Sequence, residues 1–160
     1  MILAVRPATY LSRMQAFSSA GNSSPLRLDI EDQQLQNSPL ISIIDDDESM
    51  RCAVKSLVTL LGLNARTFAS AEDFLRSPHV EHTSCLISDL QMPGLSGVEL
   101  QKMLLAQGRH IPIIFMTAFP EERMRTRAIE AGALGFLSKP FESQMLINLI
   151  EKAIEISPKE

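Results

Sequence analysis

Short apolar runs alternate with stretches of helical periodicity from about residue 40 to residue 155 of this chain. The runs resemble strands that are buried on both faces, and the links between elements are short. This alternation predicts an α/β fold, a doubly wound five-stranded parallel sheet with right-handed crossovers and helices on both faces. We expect the flavodoxin-like strand order 2-1-3-4-5. The predicted strands are 41–44, 64–68, 84–88, 111–116 and 133–138.

The first 38 residues differ in character from the rest of the chain. A run rich in Ser, Gly and Asn and little sustained periodicity predict that residues 1–38 are a disordered N-terminal extension, and that residues 39–160 form one domain. The first 28 residues carry Arg but no acidic residue, which leaves an organellar transit peptide as an alternative. A translation start at Met14 is another.

Charge and composition exclude several classes of function. With 15 basic and 19 acidic side chains, the net charge of −4 offers no broad footprint for nucleic acid or for an anionic membrane. No apolar run approaches the ~20 residues that a membrane helix needs. Cys52 and Cys85 lie in apolar segments and are predicted to be buried, reduced thiols. We therefore expect a cytoplasmic protein that binds neither nucleic acid nor membrane directly.

Polar residues follow four of the five predicted strands. Asp45 and Asp46 follow the first strand, Asp89 the third, Thr117 the fourth and Lys139 the fifth. Because ligands bind outside the carboxyl ends of parallel strands at the switch point, these side chains are expected to converge. Three carboxylates suit an oxygen-liganded divalent cation, which we expect to be Mg²⁺, and the lysine and hydroxyl complete a phosphoryl-binding set. No Walker A loop or Gly-x-Gly-x-x-Gly motif indicates a bound nucleotide.

The stretch after Asp89 carries strong local signals. Pro93 and Gly94 indicate a turn, and Ser96 with Glu99 has the spacing of a capping box ahead of a helix. The order of strand, acid, turn and helix makes Asp89 the leading candidate for chemistry.

In this order, the motifs resemble the receiver domain of two-component response regulators. The matching segments are IIDDD at 43–47, SDLQMPGLSG at 88–97, MTA at 116–118 and FLSKPF at 136–141. The segments MTAF and LSKPF are most similar in sequence to those of receivers of the nitrogen-fixation regulator type. Lys139 and Pro140 also resemble the family's cis peptide.

The resemblance implies a phosphoacceptor and a metal site. Asp89 would take a phosphoryl group from a phosphohistidine of a histidine kinase or a phosphotransfer protein. Asp46, Asp89 and the backbone carbonyl of Gln91 would hold Mg²⁺, with Asp45 acting through a water. Lys139 would stabilise the phosphoryl oxygens. On this interpretation the protein is a signalling phosphoacceptor and not an enzyme in the ordinary sense.

The family resemblance also implies a switch. Thr117 would move to bond the acyl phosphate, and Phe136 would turn inward behind it, although plain core packing is the alternative for this aromatic side chain. The surface formed by the fourth helix, fifth strand and fifth helix would change, for a downstream effector or a dimer. We expect a stand-alone receiver without an output domain, which signals through a partner protein.

Two other functions remain open from the sequence. Residues 45–49 approximate the Asp-x-Asp-x-Thr motif of Mg²⁺-dependent phosphohydrolases, with Ser49 in place of Thr, and Asp45 would then be the nucleophile. A binding scaffold that never uses its phosphorylation site is the other alternative. Which aspartate becomes phosphorylated separates the receiver from the hydrolase.

The resemblance also yields a prediction about the lifetime of the phosphoryl group. Gln91 and Phe119 each lie two residues beyond a site residue, at positions that influence hydrolysis in the family. The ring of Phe119 should hinder an attacking water, so Phe119→Ala should lose its phosphoryl group faster than the wild type. Intact mass followed over time after removal of the donor measures this rate. Equal decay of the two proteins would contradict the prediction.

Overall fold

The computed structural model describes residues 37–157. Apart from its last two residues, the extension predicted at 1–38 lies outside this range. Among the described residues, no helix has both the length and the apolar character needed to cross a membrane.

Within residues 37–157, five strands alternate with five α-helices. The strands are β1 (Leu40–Ile44), β2 (Asn64–Phe68), β3 (Thr83–Asp89), β4 (Ile113–Thr117) and β5 (Gly135–Ser138). The helices are α1 (Glu48–Leu60), α2 (Ala71–Arg76), α3 (Gly97–Ala106), α4 (Glu122–Glu130) and α5 (Ser143–Ile156), with a 3₁₀ helix at Pro78–His82 after α2.

All neighbouring strands are parallel, and their order is β2-β1-β3-β4-β5. The predicted α/β fold and strand order are confirmed. The register aligns the carboxyl ends of the central strands, since Ile44 pairs with Ser88 and Asp89 pairs with Met116. Residues that follow these strands therefore emerge at one edge of the sheet.

The sheet separates two apolar layers. Alternate strand residues face opposite sides, so Ile43 packs in the layer under α1 and α5, whereas Ile44 packs in the layer under α2, α3 and α4. In the first layer the helices contribute Val54, Val58, Leu146, Ile150 and Ala153. In the second layer they contribute Phe74, Leu100, Leu104 and Ala128.

Side chains cap the first three helices. The carboxylate of Asp47 accepts from the Ser49 N–H at 2.9 Å, and the hydroxyl of Ser70 accepts from the Asp73 N–H at 3.1 Å. Ser96 and Glu99 form the predicted capping box at the start of α3. These bonds satisfy N–H groups that a helix leaves without an internal partner.

Helix α4 is anchored less firmly than its neighbours. It begins at Glu122 with no side-chain cap. Ala128 is the buried residue of α4, and Met124 packs partly against the core. The helix therefore contributes little apolar surface to the fold.

The two cysteines differ in burial. Cys85 lies in β3 and is buried, and desolvation raises the pKa of its thiol to about 12. Cys52 is exposed, so the prediction that both thiols are buried is wrong for this residue. It precedes the buried Val54 by two positions, and at ~100° per residue it lies on the opposite face of α1.

The capping box yields a stability prediction. Ser96→Ala removes the hydroxyl that accepts from the Glu99 N–H, and we expect a loss of about 1 kcal/mol in the free energy of unfolding. Ser56→Ala is the control, since Ser56 is exposed within α1 and alanine is the better helix former. Urea unfolding of both variants measures the difference, and equal stabilities would show that the bond to the Ser96 hydroxyl contributes nothing.

Candidate functional site

The predicted site residues meet at the carboxyl edge of the sheet. The Lys139 Nζ lies 2.7 Å from Asp45 Oδ2 and 3.3 Å from Asp89 Oδ2. Carboxylate oxygens of Asp45, Asp46 and Asp89 all lie within 4.8 Å of one another. Parallel strands β1, β3 and β5 thus bring together three acids and one ammonium that lie far apart in the sequence.

Asp45 is held by the backbone around it. It is fully buried, and its Oδ1 accepts from the Asp47 N–H at 2.9 Å. The backbone N–H of Asp45 donates to the carbonyl of Phe68 at 3.2 Å, which continues the β1–β2 pairing beyond the strand. Arg51 Nη1 donates to the Asp45 carbonyl at 2.6 Å. These contacts fix the carboxylate against Lys139.

Arg51 was missed by the sequence reasoning, although a signal was present. It lies in the first turn of α1, four residues after the Asp47 cap. Helical side chains lean toward the N-terminus, so an arginine at this position reaches back to the end of the preceding strand. Its guanidinium adds positive charge beside the acidic cluster.

Asp89 is buried but retains access to solvent, with 8% of its surface exposed. Its Oδ1 accepts from the Gln91 N–H at 3.2 Å, and Oδ2 faces Lys139. Burial raises the pKa of Asp89, and this effect outweighs the opposing influence of the Gln91 N–H and the Lys139 charge. Burial alone would lower the pKa of Lys139, but its bonds to Asp45 and Asp89 raise it, so the ammonium stays charged.

Thr117 ends β4 beside the cluster and is fully buried. Its Oγ1 accepts from the Phe119 N–H at 3.1 Å, so that bond does not use the hydroxyl proton. The Lys139 N–H donates to the Thr117 carbonyl at 2.7 Å, and the Lys139–Pro140 peptide is cis. Threonine and lysine are therefore joined through the backbone.

Phe136 lies behind Thr117 on the neighbouring strand and is half-buried against the second core layer. It lines a surface cavity of about 510 Å³ between α4, β5 and α5. The wall of this cavity also includes Glu122, Arg125, Phe141 and Met145. Phe119, by contrast, is 69% exposed at the rim of the site.

The sequence also matches a protein-family model and several curated proteins. The response regulator receiver domain model matches residues 41–151. Response regulator protein TodT of Pseudomonas putida is 38% identical over 121 residues, which are 76% of this chain and 53% of TodT. Nodulation protein W of Bradyrhizobium diazoefficiens is 40% identical over 116 residues, which are 72% of this chain and 51% of that protein.

Solved structures of other proteins have a similar fold. The crystal structure of FixJ-N matches with a TM-score of 0.68 and 36% identity, covering 75% of this chain and 96% of that chain. Fold and site together thus define a doubly wound domain with an acidic cluster at the carboxyl edge of its sheet. The chain belongs to the response regulator receiver family, as its motifs predicted. It spans about half the length of the curated relatives it matches.

Members of this family are signalling phosphoacceptors that bind Mg²⁺ at acidic residues. The donor set here fits such an ion, because three carboxylates face one contacting ammonium and so keep an excess of negative charge. Oxygen ligands of this kind suit Mg²⁺, which keeps several waters. Gln91 is exposed two residues beyond Asp89, and its N–H donates to Asp89 Oδ1 at 3.2 Å.

The raised pKa of Asp89 predicts a pH-dependent cost to stability. The folded state holds this proton more tightly than the unfolded chain, so stability falls as pH rises from the ordinary aspartate value through the raised one. Without Mg²⁺, Asp89→Asn should therefore raise Tm at pH 7 by on the order of a few degrees. This gain should vanish below the ordinary aspartate pKa.

Thermal unfolding in EDTA across this pH range tests the prediction. Asp73→Asn is the matched control, because its carboxylate is 53% exposed and contacts only the exposed Arg76 among the described residues. A lower Tm for Asp89→Asn at pH 7 would show that its attraction to Lys139 outweighs the burial of its charge.

Proposed function

We propose that Asp89 accepts a phosphoryl group from the phosphohistidine of a histidine kinase or a phosphotransfer protein, and that the protein then signals through a changed protein-binding surface. The observation that carries this proposal is the Lys139 ammonium, which contacts both the buried Asp45 and the accessible Asp89. It supplies positive charge where phosphoryl oxygens would lie. Family membership gives the class of donor.

In the proposed reaction, an Asp89 carboxylate oxygen attacks phosphorus in line. A phosphorus–oxygen bond forms as the phosphorus–nitrogen bond of the donor breaks, and the histidine leaves with its electron pair. Lys139 stabilises the transferred oxygens, and the Thr117 hydroxyl donates a hydrogen bond to one of them. The product is an acyl phosphate on Asp89.

Asp46 and Asp89 are proposed to hold Mg²⁺ with the backbone carbonyl of Gln91, and Asp45 through a water. When bound, the ion neutralises charge on the phosphoryl oxygens. Asp45 supports this role because its carboxylate is fixed by the Asp47 N–H and by Lys139. Asp46 is exposed and can turn toward a ligand.

The proposed switch runs from Thr117 to Phe136. If Thr117 moves toward the acyl phosphate, it leaves room behind it, and Phe136 on the adjacent strand turns in from the cavity that it now lines. That cavity belongs to the surface of α4, β5 and α5, where we propose that an effector or a second copy docks. The small buried surface of α4 makes its displacement inexpensive.

The proposal assigns residues 39–160 to the receiver domain and places the protein in the cytoplasm. Both of its cysteines are free, which suits a reducing compartment. The matched relatives are about twice the length of the region they share with this chain.

The hydrolase alternative fits the structure less well. Asp45 is fully buried and already bound by Lys139 and the Asp47 N–H, whereas a nucleophile must reach its substrate. Asp89 keeps the solvent access that Asp45 lacks.

Intact mass spectrometry of the full chain tests the phosphoacceptor. After incubation with acetyl phosphate and Mg²⁺, we expect the wild type to gain one phosphoryl mass and Asp89→Asn to gain none. Asp73→Asn, an exposed acid outside the site, should behave as the wild type. Omission of Mg²⁺ should suppress the gain.

Each other outcome has a distinct meaning. A gain that persists in Asp89→Asn would move the nucleophile to Asp45 and favour the hydrolase. No gain in the wild type, with acetyl phosphate and with a panel of phosphorylated histidine phosphotransfer domains, would favour the phosphorylation-independent scaffold.

A further inference from the structure

The loop between β3 and α3 carries the proposed carbonyl ligand, and its backbone is held by carboxylates. Asp89 Oδ1 accepts from the Gln91 N–H at 3.2 Å, and Glu99 Oε2 accepts from the Ser96 N–H at 2.8 Å. Both acids lie at the ends of the loop itself. The third is Glu72, whose Oε1 accepts from the Leu95 N–H at 2.8 Å across 23 residues of sequence.

Glu72 reaches the loop from a firmly anchored helix. Its neighbours Ala71 and Phe74 are fully buried, and the Ser70 side chain caps α2. The Leu95 N–H lowers the pKa of Glu72, so the side chain is a carboxylate at neutral pH. The loop is therefore fastened to a rigid part of the fold by a charge-assisted hydrogen bond.

Gly94 shows that the turn is shaped around this carboxylate. Its φ of +79° is a conformation that L side chains rarely adopt. A Cβ added at Gly94 would lie 2.6 Å from Glu72 Oε1, so the acid occupies the space that a side chain would fill. Glycine thus allows both the backbone turn and the approach of the acid.

Backbone hydrogen bonds that do not involve Glu72 hold the two ends of the loop together. The Leu90 N–H donates to the Met116 carbonyl at 2.9 Å, and the Gly97 N–H donates to the Leu90 carbonyl at 3.0 Å. Gly97 also packs so closely that a Cβ there would lie 2.6 Å from the Asp89 carbonyl oxygen. Gln91 lies between these joined ends and the part of the loop that Glu72 holds.

We propose that Glu72 is a positioning residue, which fixes the loop of residues 91–96 so that the Gln91 carbonyl is presented for Mg²⁺ in the metal-free protein. The proposal rests on the metal role proposed above for Gln91. Glu72 touches neither the ion nor the phosphoryl group. Its removal should weaken Mg²⁺ binding because the ion would then have to order the loop.

Isothermal titration of Mg²⁺ into the full chain, without any phosphodonor, tests the proposal. For Glu72→Ala we expect a dissociation constant raised about tenfold, together with faster hydrogen exchange at the Leu95 amide in the metal-free protein. Glu72→Gln keeps an oxygen acceptor for that amide and should recover most of the affinity. At saturating Mg²⁺, phosphorylation of Glu72→Ala should approach the wild-type rate.

Asp73→Ala is the matched control, since it removes one negative charge from the same helix but leaves the bond to Leu95 intact. The proposal is overturned if Glu72→Ala binds Mg²⁺ within twofold of Asp73→Ala, or if Glu72→Gln is impaired as much as Glu72→Ala. Failure of the wild type to be phosphorylated would instead overturn the proposed function, and would leave the titration and exchange results interpretable.

Discussion

The contact of one ammonium with two carboxylates organises this molecule. Lys139 brings the end of β5 against the ends of β1 and β3, through Asp45 and Asp89. Without the lysine, these two neighbouring carboxylates would lose the ammonium that contacts both of them, which is costly for charges that are largely removed from water. The backbone N–H of Lys139 also donates to the Thr117 carbonyl, so the same residue connects the charged cluster to the end of β4.

The proposed chemistry and the proposed signalling surface lie on parts of the fold that differ in rigidity. Asp45, Asp89 and Lys139 lie at strand ends backed by two apolar layers, where side-chain positions are strongly determined. The surface proposed to signal includes α4, which has no side-chain cap and one buried residue. A local change of charge at rigid strand ends can therefore be expressed by movement of a weakly held helix.

Much of this arrangement could be predicted from the sequence. Apolar runs ending at Asp45, Asp89, Thr117 and Lys139 predict a parallel sheet, and parallel strands necessarily bring their carboxyl ends to one edge. The orientation of Cys52 was misjudged because apolar composition does not reveal which face of a helix is outward. The contact of Glu72 with the Leu95 amide had no sequence signal, since it depends on packing between elements that each look complete alone.

The distance along the chain between the charges has a consequence for biosynthesis. Asp45 and Lys139 are 94 positions apart, and β5 is an edge strand that is made last. A ribosome-bound chain that has not yet exposed β5 carries the three acids of the cluster but not the ammonium that contacts two of them. The cluster therefore gains the positive charge of Lys139 only after β5 has joined the sheet.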